Sequence, residues 1–104
     1  MTVVETIRDT IRFWTDTSHP DRIRRDWSWE PHQINRGMCG KFADQIAARC
    51  NEVEKAGTYM EKYGDDSFPD HMWVTDGNKH YDAEAPEGVE DWRDLPFFKK
   101  RLKR

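Results

Sequence analysis

Val3, Val4, Ile7, Ile11 and Trp14 recur at helical spacing, with Glu5, Arg8, Asp9 and Arg12 on the other side. Apolar residues three and four apart share one face of a 3.6-residue repeat, so the chain opens with an amphipathic helix that ends near Ser18-His19-Pro20. From there to about Gly37 no period holds. Pro20, Pro31 and the Trp27-Ser28-Trp29 pair predict a long connection pinned by aromatic anchors. A second stripe, formed by Phe42, Ala43, Ile46, Ala47, Cys50 and Val53, predicts a helix from close to Gly37 to about Lys55, ended by Gly57. Residues 58–69 read as surface loop or a short helical turn, with Tyr59 and Tyr63 packing back.

The period then changes. His71-Met72-Trp73-Val74-Thr75 and Lys79-His80-Tyr81-Asp82-Ala83 are short strand-like runs around Asp76-Gly77-Asn78, a hairpin signal. Glu84-Ala85-Pro86-Glu87-Gly88 breaks the second run, and Val89, Trp92, Leu95, Phe97 and Phe98 predict a final apolar strap over the core. The order predicts a single α+β domain over residues 1–104. An N-terminal helix and a central helix carrying Cys39 at its N-terminus pack on a small antiparallel sheet, and residues 99–104 form a basic tail.

Composition bears on whether such a chain folds. Hydrophobic residues make up 36% and charged residues another 36%, a balance that suggests disorder when the apolar residues are scattered or aliphatic. Here five Trp, five Phe and three Tyr supply large areas per side chain, enough for one modest core in 104 residues. The net charge is -3, and basic residues alternate with acids except from Lys99 to Arg104, which argues against a nucleic-acid partner. The tail is expected to be solvated. No stretch has the length of a membrane span, and Glu5, Arg8 and Asp9 stand where a signal peptide needs an apolar run. A cytoplasmic protein with no membrane partner is expected. Cys39 and Cys50 on one helix would stand about 16 Å apart, beyond disulfide reach, and two free thiols fit a reducing compartment.

Candidate chemistry centres on Cys39. At a helix start, unpaired backbone N–H groups and the positive dipole end favour a thiolate, and the residue's own N–H can face an oxyanion. Gly37 and Gly40 keep the approach open. Cys50, inside the apolar stripe, reads as a buried small hydrophobe. His71 opens the hairpin. With Asp76-Gly77 central in the turn, His71 falls opposite Asp82, which can fix its tautomer; with Gly77-Asn78 central, it faces Glu84. The alternation puts Trp73 and His80 on the catalytic face, His80 as a partly exposed residue without a role, and Met72, Val74 and Tyr81 on the core face. His19 and His32 carry no signal. A zinc site from Cys39, His71, His80 and Asp82 lacks the close ligand spacing of metal motifs, so neither metal nor cofactor is expected.

Asn35-Arg36-Gly37-Met38-Cys39-Gly40-Lys41-Phe42-Ala43, His71-Met72-Trp73-Val74 and Tyr81-Asp82-Ala83 together resemble the transglutaminase-like and papain-like cysteine enzymes. In that superfamily a Gly-x-Cys-x-x-Phe-Ala pattern opens the central helix, and a His-x-Trp strand pairs with one bearing Asp or Asn. The similarity spans about Gln33 to Asp82, roughly half the chain. This chain departs from the family in its shortness, its single clear hairpin and its minimal His-to-Asp connection. The resemblance implies a Cys39-His71-Asp82 triad performing acyl transfer on an amide or ester, as a peptidase, deamidase or transglutaminase does. It also implies an oxyanion-hole amide six residues before the nucleophile, which is Gln33, with Asn35 as the competing donor. Trp73, and Trp27 or Trp29, are candidate walls of a substrate channel beside Asn35 and Gly37. The partner implied is a peptide or protein substrate; the alternative is an inactive module of the same fold that binds or inhibits through a peptide. A short sheet also leaves edges on which a second copy can pair, so the sequence allows a homodimer.

Overall fold

The computed structural model describes residues 2–22, 28–58 and 69–102. Trp27, Tyr59, Tyr63 and the last two residues of the basic tail lie outside them. Helix α1 runs Val3–Thr15 and starts with a capping box. The Thr2 hydroxyl accepts from the Glu5 N–H at 3.1 Å and the Glu5 carboxylate accepts from the Thr2 N–H at 3.0 Å, satisfying two donors that a helix start leaves orphaned. α1 stops before the expected Ser18-His19-Pro20. Asp16 takes extended backbone angles, and its carboxylate accepts from the Ser18 N–H and hydroxyl.

The expected irregular connection contains a second helix, α2, Pro31–Gly37. Its signals were local: Pro31 at the first turn, where a missing N–H costs nothing, and Glu30 with Gln33 as a reciprocal cap. Helix α3, Cys39–Arg49, is shorter than the apolar stripe suggests. The backbone becomes extended at Cys50 and enters strand β1, Glu54–Gly57, so Gly57 ends a strand rather than a helix. Cys50 and Val53 prolong the stripe because they still pack on the same core. Glu, Lys and Ala are weak strand formers, and pairing with the next strand, not propensity, makes β1.

Strands β2, Met72–Thr75, β3, His80–Asp82, and β4, Ala85–Val89, complete an antiparallel sheet of order β1-β2-β3-β4. β4 occupies the segment expected to break the strand, since an edge position tolerates Pro86. Thr75 pairs with His80, so the β2-β3 turn centres on Gly77-Asn78 and not on Asp76-Gly77. Asp76 decides it. One of its carboxylate oxygens accepts from the Asn78 and Lys79 N–H groups and the other from the Tyr81 hydroxyl, while Gly77 takes φ +94°.

A 3-10 turn, Trp92–Asp94, and helix α4, Pro96–Leu102, follow. Residues 99–102, expected in a solvated tail, are thus helical, because Phe97 and Phe98 bury α4 and the Arg101 guanidinium lies 3.7 Å from the Phe97 ring centre. The sheet is covered on both faces. On one, Val74, Tyr81 and Ala83 pack with Ile7, Ile34, Phe42 and Ile46 from the three N-terminal helices. On the other, Trp73, Ala56 and Ala85 pack under Trp92, Leu95, Phe97 and Phe98. The C-terminal strap therefore builds a second core rather than closing the first. Among the described residues no helix is long and apolar enough to cross a membrane.

Candidate active site

Cys39 is the first residue of α3, joined to α2 by Met38 alone, and is half-buried. A helix start leaves N–H groups without intrahelical acceptors, and Cys39 lies among them. Burial by itself would push its thiol up. The His71 imidazole and the Met72 and Gly40 backbone N–H groups outweigh that, and the thiol sits below its ordinary value. Gly40 serves packing more than access: a Cβ there would meet the Met72 sulfur at 3.4 Å, whereas one on Gly37 would meet nothing.

His71 stands one residue before β2 and is buried, 1% exposed. Its Nε2 and Asp82 Oδ2 are 2.9 Å apart. Asp82 Oδ1 accepts from the Glu84 and Ala85 N–H groups at 2.9 and 3.0 Å, so the turn from β3 into β4 holds the carboxylate still. Burial pulls the His71 pKa down, but hydrogen bonding and charge from Asp82 and Cys39 overcome this and raise it. A Nε2–H donated to Asp82 leaves Nδ1 as the basic nitrogen. Nδ1 is buried and makes no hydrogen bond of ordinary geometry. The thiol and the ring shift each other's pKa, the thiol downward and the ring upward. Phe97 stacks on the imidazole, 4.1 Å between centres and 14° between planes, and Phe98 meets it edge-on at 5.6 Å.

The pairing of His71 with Asp82 was expected, but the register behind it differs. Continuing the observed register puts Trp73 opposite Asp82 and His71 on the diagonal, within reach on the same face. Glu84, directly opposite His71 in that register, does not orient the ring. The chain turns away after Asp82, and Glu84 accepts from Asn35 Nδ2 at 2.9 Å and from Lys100 Nζ at 2.5 Å.

Neither amide considered for the oxyanion hole is hydrogen-bonded to Cys39. Gln33 is exposed, and its side-chain oxygen accepts from the Glu30 N–H at 2.8 Å, because helical side chains lean toward the N-terminus and that cap needs an acceptor. Asn35 is buried with its amide nitrogen committed to Glu84 and its oxygen unpartnered. Trp73 does not wall a channel. It is buried, stacks on Trp92 at 5.4 Å, and donates to His80 Nδ1 at 2.9 Å. His80 is accordingly buried, not exposed, and His19 is buried against Asp9 at 3.1 Å. Trp29 is half-buried, packs edge-on with Trp14, and borders a surface hollow with Gln33, Arg36 and Gly37.

Thr58 escaped the sequence reading. It continues the β1-β2 register opposite His71; its N–H donates to the His71 carbonyl at 3.2 Å, and its hydroxyl accepts from the His71 N–H at 3.1 Å and donates to the Pro69 carbonyl at 2.9 Å. A threonine beside a loop carries no signal of its own. Among the described residues no group of three or more His, Cys, Asp or Glu side chains is arranged to hold a metal ion. No protein-family model, curated protein or solved structure matches the chain.

Proposed function

We propose that this chain is a cysteine-dependent acyl-transfer enzyme acting on an amide or ester of a peptide or protein, built as a short form of the transglutaminase-like and papain-like fold. The observation that carries the reading is the orientation of His71: Nε2 on Asp82 at 2.9 Å, and a buried Nδ1 without a hydrogen bond of ordinary geometry, in a ring that pulls down the titration of the half-buried Cys39 thiol at a helix start. His71 Nδ1 takes the Sγ proton, and the thiolate forms a bond to the carbonyl carbon. The carbonyl electron pair moves to oxygen, where the Cys39 backbone N–H stabilises it. Collapse re-forms the carbonyl and breaks the bond to the leaving amine or alcohol, which receives the proton from Nδ1. Water then attacks the thioester, giving its proton to Nδ1, and the C–S bond breaks as Sγ recovers it; an amine in place of water gives transamidation. The two free cysteines suit a reducing compartment such as the cytoplasm.

Labelling by iodoacetamide at pH 6, followed site by site by mass spectrometry, tests the reading. Cys39 is expected to react about tenfold or more faster than a free thiol, and His71→Ala to remove the advantage. Ordinary reactivity that is indifferent to His71 would leave the alternative of an inactive peptide-binding module. Amide, ester and amine substrates screened against Cys39→Ala as blank then separate hydrolysis from transamidation.

A further inference from the structure

Beside the triad lies a cleft of about 370 Å³ lined by His32, Arg36, Glu84, Lys100 and Arg101. Three permanent cations face one carboxylate there, in a chain whose net charge is -3. Glu84 is already satisfied by Lys100 at 2.5 Å and Asn35 at 2.9 Å. Two guanidinium groups remain. Arg36 is exposed and makes no side-chain hydrogen bond or ion pair among the described residues; Arg101 uses one N–H on the Phe97 carbonyl at 3.0 Å, and its other N–H groups bond to none of the described residues.

The cleft adjoins the reacting groups through three links. Arg36 is three residues before Cys39, at most about 11 Å of chain away. Glu84 is two residues after Asp82 and donates nothing to the ring, but its N–H fixes the Asp82 carboxylate. Arg101 and His71 lie against the same Phe97 ring, 3.7 and 4.1 Å from its centre, so a cleft-lining guanidinium and the base share one neighbour. A planar fork of N–H donors matches a carboxylate in geometry as well as charge.

We propose that this cleft binds a carboxylate of the substrate, making the acyl donor an acidic peptide; the donor role rests on the acyl-transfer reading, and the binding on the cleft alone. The carboxylate can come from a Glu or Asp side chain or from a free C-terminus, and the test separates the two. Full-length protein carrying Cys39→Ala is titrated with three fluorescein-labelled peptides that differ in one feature: an internal Glu with an amidated end, an internal Gln with an amidated end, and the Gln peptide with a free C-terminus. Anisotropy is read at low and high salt. At least one carboxylate peptide is expected to bind about tenfold tighter than the amidated Gln peptide, with the preference shrinking at high salt. Arg36→Ala combined with Arg101→Ala should bring the preference close to unity; the exposed Arg36→Glu carries the same test if Arg101→Ala loosens α4. Equal binding of all three peptides, or a preference that survives these substitutions, overturns the proposal. Iodoacetamide labelling of Cys39 in the otherwise unaltered protein, run in parallel, keeps the two readings apart. A His71-dependent thiol without carboxylate preference removes only the cleft, and a carboxylate preference with an unreactive thiol removes only the enzyme.

Discussion

Asp82 presents one carboxylate oxygen to the His71 ring and the other to two backbone N–H groups, so replacing it tests charge with little change of shape. The folded protein raises the His71 pKa and lowers that of Cys39, and both shifts act toward a pH window in which thiolate and imidazolium coexist. Turnover should fall on the acid side as the thiolate is protonated and on the alkaline side as the imidazolium loses its proton. Asp82→Asn removes the negative charge that supports the imidazolium. The alkaline limb should then move to lower pH, and the rate within the window should drop about 10²-fold or more, read from a pH-rate profile. Thr58 acts through another residue and calls for a different readout. Thr58→Val keeps the volume but leaves the His71 N–H without its acceptor, so stability should fall by about 1–2 kcal/mol and Cys39 labelling should slow several-fold. Thr58→Ser should restore both, as measured by urea midpoint and labelling rate. At this scale the cluster of Cys39, His71 and Asp82 was legible because a cysteine at a helix start, a histidine entering a strand and an aspartate across the hairpin are each visible in the local pattern. Thr58, Asn35 and His80 were not, because their hydrogen-bond partners belong to other elements of the fold.

Among the elements, the hairpins show how local chemistry and pairing divide the work. Gly77-Asn78 became the turn centre because Asp76 has three donors to collect there. Moving the centre by one residue shifts the pairing by two, and a two-residue shift leaves every side chain on its original face. Alternation therefore placed His71, Trp73, His80 and Asp82 together while the register stayed open. α2 was legible in principle from Pro31 and the Glu30-Gln33 cap; β1 was not, since its four residues show no alternation in burial and no strand preference. Gly88 in β4 is a position where only glycine fits. Its φ is +84°, and a Cβ would stand 2.6 Å from Tyr81 Cε1. Gly88→Ala should cost about 1–3 kcal/mol, seen as a lower urea midpoint with unchanged slope.

Across the whole molecule, the sheet is an inner layer between the N-terminal helices and the C-terminal strap, and the His71 imidazole lies on the strap side. Phe98 touches His71, Trp73, Trp92 and Phe97 with ring centres 5.1 to 5.8 Å away, so it ties the second core to the base. Phe98→Ala should destabilise by about 3–5 kcal/mol in urea unfolding. By itself the sequence determined the α+β class, the helical start at Cys39, the hairpin and the face shared by His71 and Asp82. Periodicity, capping residues and turn residues act between near neighbours and are written there. Only the tertiary structure decided that Asp82 reaches the ring diagonally while Glu84 swings to Asn35 and Lys100, and that the strap makes a second core. Each of those outcomes depends on which donor or apolar face from another element satisfies a buried group, and no local pattern encodes that partner.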